Sequence, residues 1–501
     1  MSGDPLYELI RSLTPEEKRI FKLHTKKYTR KGGNNYLRLF DILDALPEYD
    51  EKKLREKLRR SGFDQQLHVT RSYLSELLLD VLARKHEQED LHLDLQRQLS
   101  HAHVLCSKGL YETALKRIRK VRQLCETYER PLQALQAAQL MEKIAVKLNT
   151  QELFGELVND EHARQLRAME RHREYLHYRT LSFRLMHFVN SHAAATLPKE
   201  NEELRRIGEA VLAPPPAEAN AETRILRLST ISVFQHYLGH KKEALRQALK
   251  ALDIGLRTDL EKLTPGVDSL LNLFNNAAML LAGWGDERMI DELVEKVRKY
   301  KTRNRSEQLA MEERINIILL TQNIALHRYE RTDRLLPGIE AFLKENGKQL
   351  TAFGKRMVPY NLMIHFFYTG RFRPALKWLN HLLTADFSAM GKHVLENVLL
   401  IELILHFELN NSDLLESRLK TNAKLMRKHD TQSPLEDAVI WHFMRLQAEA
   451  AKNRHSLIRR LHEELLELKK DPRLAYRFGD FAYDRWAEAH LKKTTIAELA
   501  S

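Results

Sequence analysis

Residues 108–115 read Lys-Gly-Leu-Tyr-Glu-Thr-Ala-Leu, and this octapeptide has the pattern of a tight turn between two helices. Gly109 tolerates the left-handed backbone conformation that commonly ends a helix. Ala114 is small, so a second helix starting after the turn can approach the first one closely. Because the two residues are five positions apart, the pattern predicts a helical hairpin with its crossing point near Ala114.

Copies of this turn recur along the chain. Two of them keep both residues, Gly239 with Ala244 and Gly370 with Ala375. Poorer copies are centred on Asn149, Gly285, Glu330, Asn410 and Asn453. Centres from Gly239 onward follow each other at 40 to 46 residues, and the longer gap before Gly239 leaves room for one more unit near residue 195. Each hairpin leaves an apolar face uncovered, so neighbours must stack. The sequence therefore predicts an all-α fold: a right-handed α-solenoid of about nine helical hairpins with a period near 43 residues.

The turns resemble those of the tetratricopeptide repeat, which has glycine, an aromatic residue and alanine at these spacings. The stretches that carry the resemblance are Lys-Gly-Leu-Tyr-Glu-Thr-Ala and Gly-Arg-Phe-Arg-Pro-Ala. The resemblance implies stacked helix pairs. The chain departs from that family in its longer period, since the family repeats every 34 residues. The Trp-Leu-Gly-Tyr half of the family's motif is also mostly absent, so a peptide-binding groove is not carried over.

A small basic helical module is expected before the array, in residues 1–89. Thr14, followed by a proline and by Glu17, indicates a capped helix start. The helix that follows is expected to bury Ile20 and Phe21, with Leu23 beside this core, and Asp50 is expected to cap a later helix. The array should then occupy residues 90–470. An aromatic C-terminal capping helix and tail should occupy residues 471–501 and cover the last hairpin with Tyr476, Phe481 and Trp486.

Short motifs in the module resemble an uncharacterised family of bacterial helical proteins of roughly 500 residues. They are Leu13-Thr14-Pro15-Glu16-Glu17-Lys18-Arg19, Asn34-Asn35-Tyr36, Gln66-Leu67-His68-Val69 and Tyr73-Leu74. This resemblance implies no particular activity.

Composition excludes several classes of protein. The 501 residues contain 18 Gly and 14 Pro, about half of ordinary usage, which argues against collagen-like and turn-rich folds. No run of 18 apolar residues occurs, so no membrane span or membrane partner is expected. Cys106 and Cys125 are too few to staple the chain, which favours a cytoplasmic location.

Motifs for chemistry are nearly absent. The sequence has no phosphate-binding glycine loop, no nucleophile elbow, no HExxH and no CxxC. His236 and His240 have a metal-ligand spacing, but Gly239 separates them and no carboxylate or cysteine completes the set. We therefore expect no catalytic residue, no metal, no cofactor and no small-molecule substrate.

Basic residues cluster in the module, within a chain whose formal net charge is +13. A clustered cationic face is the footprint expected of a polyanion site. The candidates on the first basic helix are Lys18, Arg19, Lys22, Lys26, Lys27, Arg30 and Lys31. The alternative is a solvated helix face whose acidic partners come from the repeats.

The end of the module has the layout of a helix-turn-helix, with a helix over 50–60, a turn at Gly62 and a helix over 66–85. Its last helix begins with residue types that can contact bases or phosphates. These are Gln65, Gln66, His68 and Arg71. The alternative is that this helix packs against the first repeat.

An arginine-rich stretch lies within the array. It carries Arg164, Arg167, Arg171, Arg173, Arg179 and Arg184, interleaved with Tyr175, Tyr178, Phe183 and Phe188. Such a stretch can stack single-stranded bases. Alternatively, the aromatic residues belong to the core and the arginines extend outward.

These observations favour a non-enzymatic scaffold or adaptor that binds a protein partner through the helical-repeat surface. The second hypothesis is a nucleic-acid-binding regulator that uses the basic module, and the third is an enzyme of unfamiliar type. A contiguous positive face on the module would favour the regulator. Acidic residues from the repeats over Lys18–Lys31 would favour the scaffold.

Overall fold

The structure is a computed structural model that describes residues 4–27, 35–47, 49–59, 67–87, 90–191, 202–214, 219–263, 266–282, 287–383, 392–428, 434–448, 453–471, 474 and 477–500. Of these described residues, 87% are helical and none lies in a strand. The expectation of an all-α fold is confirmed.

The chain divides into two compact units, Met1–His172 and Arg173–Ser501, here called unit 1 and unit 2. The division falls inside one long helix, His162–Ser191. The boundary expected from the sequence at residue 90 lies within unit 1, between two of its helices.

Unit 1 contains the first nine helices and the start of α10. They are α1 (Pro5–Ser12), α2 (Pro15–Lys27), α3 (Asn35–Asp44), α4 (Glu51–Arg59), α5 (Leu67–His86), α6 (Leu91–Ser107), α7 (Tyr111–Thr127), α8 (Pro131–Leu148), α9 (Gln151–Glu156) and α10 (His162–Ser191). A π-helical turn at Leu157–Glu161 joins α9 to α10.

Helices α1 to α5 form a small bundle around one apolar core, centred on Phe21, Phe40 and Leu74. The predicted capping box at the start of α2 is confirmed. The backbone N–H of Glu17 donates to Thr14 Oγ1 at 3.2 Å, and the Glu17 carboxylate accepts from the backbone N–H of Thr14 at 2.8 Å. Helix α1 was not predicted from the sequence; Asp4 caps it by accepting from the backbone N–H of Tyr7 at 2.9 Å.

Unit 2 begins within α10 and continues through sixteen numbered helices. They are α11 (Glu202–Leu212), α12 (Ala221–Tyr237), α13 (Lys241–Arg257), α14 (Val267–Ala282), α15 (Glu287–Arg298), α16 (Arg305–Ala325), α17 (Tyr329–Asn346), α18 (Gly354–Tyr368), α19 (Phe372–Leu383), α20 (Lys392–Glu408), α21 (Ser412–Lys428), α22 (Pro434–Ala448), α23 (Arg454–Lys470), α24 (Arg477–Asp480), α25 (Tyr483–Lys492) and α26 (Ile496–Ala500).

The three best turn motifs lie where the sequence predicts them. Gly109, Gly239 and Gly370 have φ of 76°, 81° and 71°, between α6 and α7, α12 and α13, and α18 and α19. Ala114, Ala244 and Ala375, one turn into the second helix of each pair, are completely buried.

The poorer copies agree less well. Asn149 and Asn410 adopt the left-handed conformation at helix ends, as a turn requires. The turn expected at Glu330 instead has His327 in that conformation, and α17 already begins at Tyr329. Gly285 lies outside the described residues, and so does residue 195, near which a further unit is expected.

Packing in unit 2 is sequential. Each helix from α11 to α14 contacts the next, and in addition α14 contacts α16, α16 contacts α18, and α20 contacts α22. Continuous apolar clusters fill the space between them, one around Phe274 and another around Leu403 and Phe443.

The C-terminal segment differs from a simple end cap. Its Phe481 and Trp486 are buried as predicted, while Tyr476 lies outside the described residues. Phe481 packs against Phe367 and Tyr368 of α18, and Trp486 stacks on Phe443 of α22. The segment therefore covers parts of both α18 and α22, which are far apart in the sequence.

Candidate functional site

A cleft of about 470 Å³ opens on the basic helix of the module. It is lined by Pro15, Lys18, Arg19, Lys22, Leu23 and Asp44. Three of the predicted polyanion-binding residues thus share one concave surface. Leu23, expected beside the core, is half exposed and forms part of the cleft wall instead. We call this feature the basic cleft.

Two of its three cations are already paired. Lys18 Nζ lies 2.5 Å from Asp44 Oδ1, and Lys22 Nζ lies 2.7 Å from Asp41 Oδ1. Lys22 also lies over the ring of Phe40, 5.4 Å from its centroid. Arg19 is exposed and forms no ion pair with any residue that the structure describes. The cleft is therefore positive, but only weakly so among these side chains.

The sequence hypotheses were a contiguous positive face on the module or a face whose acidic partners come from the repeats, and the ion pairs of Lys18 and Lys22 fit neither one fully. Asp41 and Asp44 belong to α3, a helix of the module itself, and not to the repeats. Their pairing with α2 was not predictable, because nothing in the local sequence around Asp41 and Asp44 shows that α3 packs alongside α2. The side chains of Lys26 and Lys27 are outside what the structure describes, and so are residues Arg30 and Lys31.

The described residues at the start of α5 do not form the positively charged surface expected for contact with nucleic acid. Arg71 is drawn inward, where its guanidinium pairs with Asp4 and lies 3.1 Å from Glu51 Oε2. Its Nη2 also donates to the hydroxyl of Tyr49 at 2.8 Å. His68 is exposed, whereas Gln65 and Gln66 lie outside the described residues. Arg71 therefore stabilises the bundle, because its guanidinium binds residues of the module itself.

The cysteines and histidines that the structure describes form neither an activated thiol nor a metal site. Burial raises the pKa of Cys125 to about 12 and also raises the pKa of Cys106, so neither thiol is activated. Among the described residues, no group of three or more His, Cys, Asp or Glu side chains has a geometry suited to a metal ion. His240 Nδ1 lies 2.7 Å from the side-chain oxygen of Gln235 instead. Across the same residues, every helix is too short or too polar to span a membrane.

A buried polar cluster lies beneath the C-terminal segment. Arg477, 2% exposed, has its Nη1 2.9 Å from Glu396 Oε2 and its Nη2 2.6 Å from Glu436 Oε1. Asn397 Oδ1 accepts from Arg477 Nη2 at 3.1 Å and from the Tyr483 hydroxyl at 3.0 Å. Because every member is buried, the cluster anchors the segment and is closed to ligands.

The same segment makes further polar contacts along unit 2. The indole N–H of Trp486 donates to Glu408 Oε1 at 2.7 Å, and the backbone N–H of Ala482 donates to the Tyr368 hydroxyl at 2.8 Å. Surfaces of α18, α20 and α22 that would otherwise be open are therefore occupied by the chain itself.

The arginine-rich helix α10 has features of both alternatives given by the sequence, aromatic residues in the core and an exposed aromatic residue near arginine. Tyr178 and Phe188 are buried in the core, and Tyr175 is half-buried, as the core alternative expects. Phe183 is exposed, with the guanidinium of Arg179 4.7 Å from its ring centroid. This helix therefore offers one exposed aromatic residue beside a cation.

Comparison with known proteins leaves both family resemblances as predictions, because no protein-family model, no curated protein and no solved structure matches this chain.

Proposed function

We propose that this protein is a non-enzymatic scaffold or adaptor that holds a protein partner on the surface of a helical-repeat array. The observation that carries the proposal is the packing of unit 2, where alternate helices contact each other as well as their neighbours. Stacking of one hairpin on the next produces this pattern. It supports the finer proposal of a right-handed solenoid of about nine tetratricopeptide-like hairpins.

Arrays of this type expose extended surfaces and more often bind than catalyse. We propose that the partner docks away from the faces of α18, α20 and α22 that the C-terminal segment covers. A cytoplasmic location is part of the same proposal, on the ground of cysteine usage.

The test is affinity purification of the full chain from the cells that produce it, with and without nuclease. We expect a co-purifying protein in stoichiometric amount in both samples. Loss of all co-purifying protein after nuclease treatment would contradict the scaffold and favour the regulator.

A nucleic-acid-binding regulator is the second candidate, and the basic cleft is the observation that favours it. A cavity lined by Lys18, Arg19 and Lys22 is suited to a phosphate group, because cationic side chains on a concave surface concentrate positive potential. Its test is a fluorescence-polarisation titration of the full chain with a labelled DNA duplex at low salt. Absence of binding would remove this candidate for the cleft.

A further inference from the structure

One helix of unit 2 exposes apolar side chains outside its buried face, and two of them lie opposite that face. In residues 173–191 of α10, the inward positions pack against α11 and α12; they are Tyr178, Leu181, Leu185 and Phe188. Leu176, Phe183 and Met186 are 49%, 60% and 42% exposed. At about 100° per residue, Leu176 and Phe183 lie about 20° apart, and Leu176 lies about 180° from Leu185. These three exposed residues form what we call the α10 face.

Arginines border the α10 face. Arg179 lies one turn from both Leu176 and Phe183, and its guanidinium is held over the Phe183 ring. Arg184 is exposed and has no ion pair with any residue that the structure describes. The only acidic residue in this part of α10 is Glu174, which is half-buried. The face therefore combines an apolar strip with positive charge.

We propose that the α10 face binds an acidic amphipathic helix of a partner protein, and this inference rests on the scaffold function proposed above. Apolar residues of such a helix at i, i+3 or i+4 and i+7 would pack on Leu176 and Phe183. Its flanking glutamates and aspartates would pair with Arg179 and Arg184.

Two other occupants fit less well. A second copy of the chain would bring arginines of both copies together, and like charges across an interface are unfavourable. A nucleic acid would use the arginines, but the aliphatic Leu176 and Met186 offer it neither stacking nor hydrogen bonds. An acidic helix uses both the apolar and the charged parts of the α10 face.

The probe is a labelled synthetic helix of three Glu-Leu-Ala-Ala-Leu-Glu-Lys heptads, titrated against the full chain by fluorescence anisotropy. We expect Phe183→Glu to weaken binding at least about tenfold, and the Arg179→Glu/Arg184→Glu double variant to do the same. Met279→Glu is the matched control, because Met279 is equally exposed on another helix, α14, and its substitution should leave the affinity unchanged.

A basic peptide with Lys in place of each Glu gives the reciprocal test. It should bind the native chain at least about tenfold more weakly than the acidic peptide, and it should recover affinity for the double arginine variant. Circular dichroism of each variant establishes that the helical content is unchanged.

Several outcomes would overturn the inference. One is no binding of the acidic peptide, or equal binding of both peptides. Another is tighter binding of a labelled single-stranded oligonucleotide that Leu176→Ala does not affect, which would assign the face to nucleic acid. A dimer in sedimentation velocity that Phe183→Glu dissociates would assign it to a second copy. Finally, the Phe183→Glu variant is used in the affinity purification described above. If it still co-purifies the protein that remains bound after nuclease treatment, the scaffold function stands and only the proposal for the α10 face is wrong.

Discussion

Single small residues determine how closely the paired helices approach. At the crossing of α12 and α13, the Ser232 hydroxyl donates to the backbone carbonyl oxygen of Ala244 at 2.8 Å, and both residues are buried. Such a side chain to backbone contact between helices leaves no room for a larger side chain at position 244. This explains physically why the Gly-to-Ala spacing predicted the hairpin.

Replacing Ala244 by phenylalanine should destabilise the protein by about 1–3 kcal/mol, because the added ring must displace packed neighbours. Urea unfolding followed by circular dichroism measures the change. The matched control is Ala163→Phe, since Ala163 is exposed on a helix and its substitution should change stability by no more than about 0.5 kcal/mol. An equal effect of the two substitutions would contradict the assigned crossing point.

A buried histidine makes the stability of unit 2 sensitive to acid. His365 is completely buried, and its Nε2 lies 2.9 Å from Asp333 Oδ1 of α17 and 2.7 Å from Arg371 Nη2. Burial lowers the pKa of His365 below the ordinary value of 6.5; Asp333 opposes this effect and Arg371 adds to it. The pKa values of His327 and His406 are lowered as well, mainly by burial.

Acidification should therefore destabilise the folded chain. As the pH falls below 6.5, His365 becomes protonated in the unfolded chain before it does so in the folded chain, where its pKa is lower. The free energy of unfolding therefore falls until the pH reaches the pKa of His365 in the folded chain. The slope for one proton is at most about 1.4 kcal/mol per pH unit. Urea midpoints between pH 7.5 and pH 5 should fall less steeply for His365→Gln than for the native chain. Identical slopes would show that this histidine does not contribute.

At the scale of the helices, local signals were predictable and distant contacts were not. The turns at Gly109, Gly239 and Gly370 and the capping box of α2 follow from a few adjacent residues. The path of the C-terminal segment depends on Arg477 meeting glutamates about 80 and 40 residues earlier, which no local pattern shows.

The charges of the basic cleft also show that local signals were predictable from the sequence and distant contacts were not. Its cations were evident as a cluster in the sequence, and they do line one surface. Their pairing with Asp41 and Asp44 depends on the packing of α3 alongside α2 and was not predictable. The inward turn of Arg71 was missed for the same reason, because Asp4 lies on an unpredicted helix start.

Arg477 should be the most sensitive polar position of the C-terminal segment. Arg477→Met removes a buried guanidinium that pairs with two buried glutamates, Glu396 and Glu436, and breaking a buried pair costs about 3–5 kcal/mol. Urea unfolding of the full chain measures the loss.

Two further variants make this prediction specific. Adding Glu396→Gln and Glu436→Gln to Arg477→Met should restore part of the stability, because a buried neutral amide costs less than a buried carboxylate that has lost the guanidinium. Lys470→Met removes an exposed pair with Glu467 and should cost no more than about 1 kcal/mol. A loss for Arg477→Met as small as that for Lys470→Met would contradict the anchoring role.

At the scale of the whole molecule, the net charge of +13 arises from 81 basic and 68 acidic residues, so acidic residues are numerous enough to balance most of the basic ones. In the basic cleft, Lys18 and Lys22 are paired with aspartates, and Arg19 has no ion pair with any of the residues that the structure describes. A net positive protein of this kind attracts nucleic acid weakly without a dedicated site.

Replacing Lys18, Arg19 and Lys22 together by alanine therefore tests whether the cleft is a phosphate site or part of a general positive surface. Binding of a labelled duplex to the full chain should be weak, about 10⁻⁴–10⁻⁶ M at physiological salt, and should fall as salt rises. Each phosphate contact contributes about −0.9 to the log–log slope. Because Asp44 and Asp41 hold two of the three cations, we expect the triple variant to reduce the slope by about one unit, with Lys470→Ala as the unchanged control. A reduction near three units would mean that both lysines leave their aspartates for phosphate, and the regulator would then be the better account of the basic cleft.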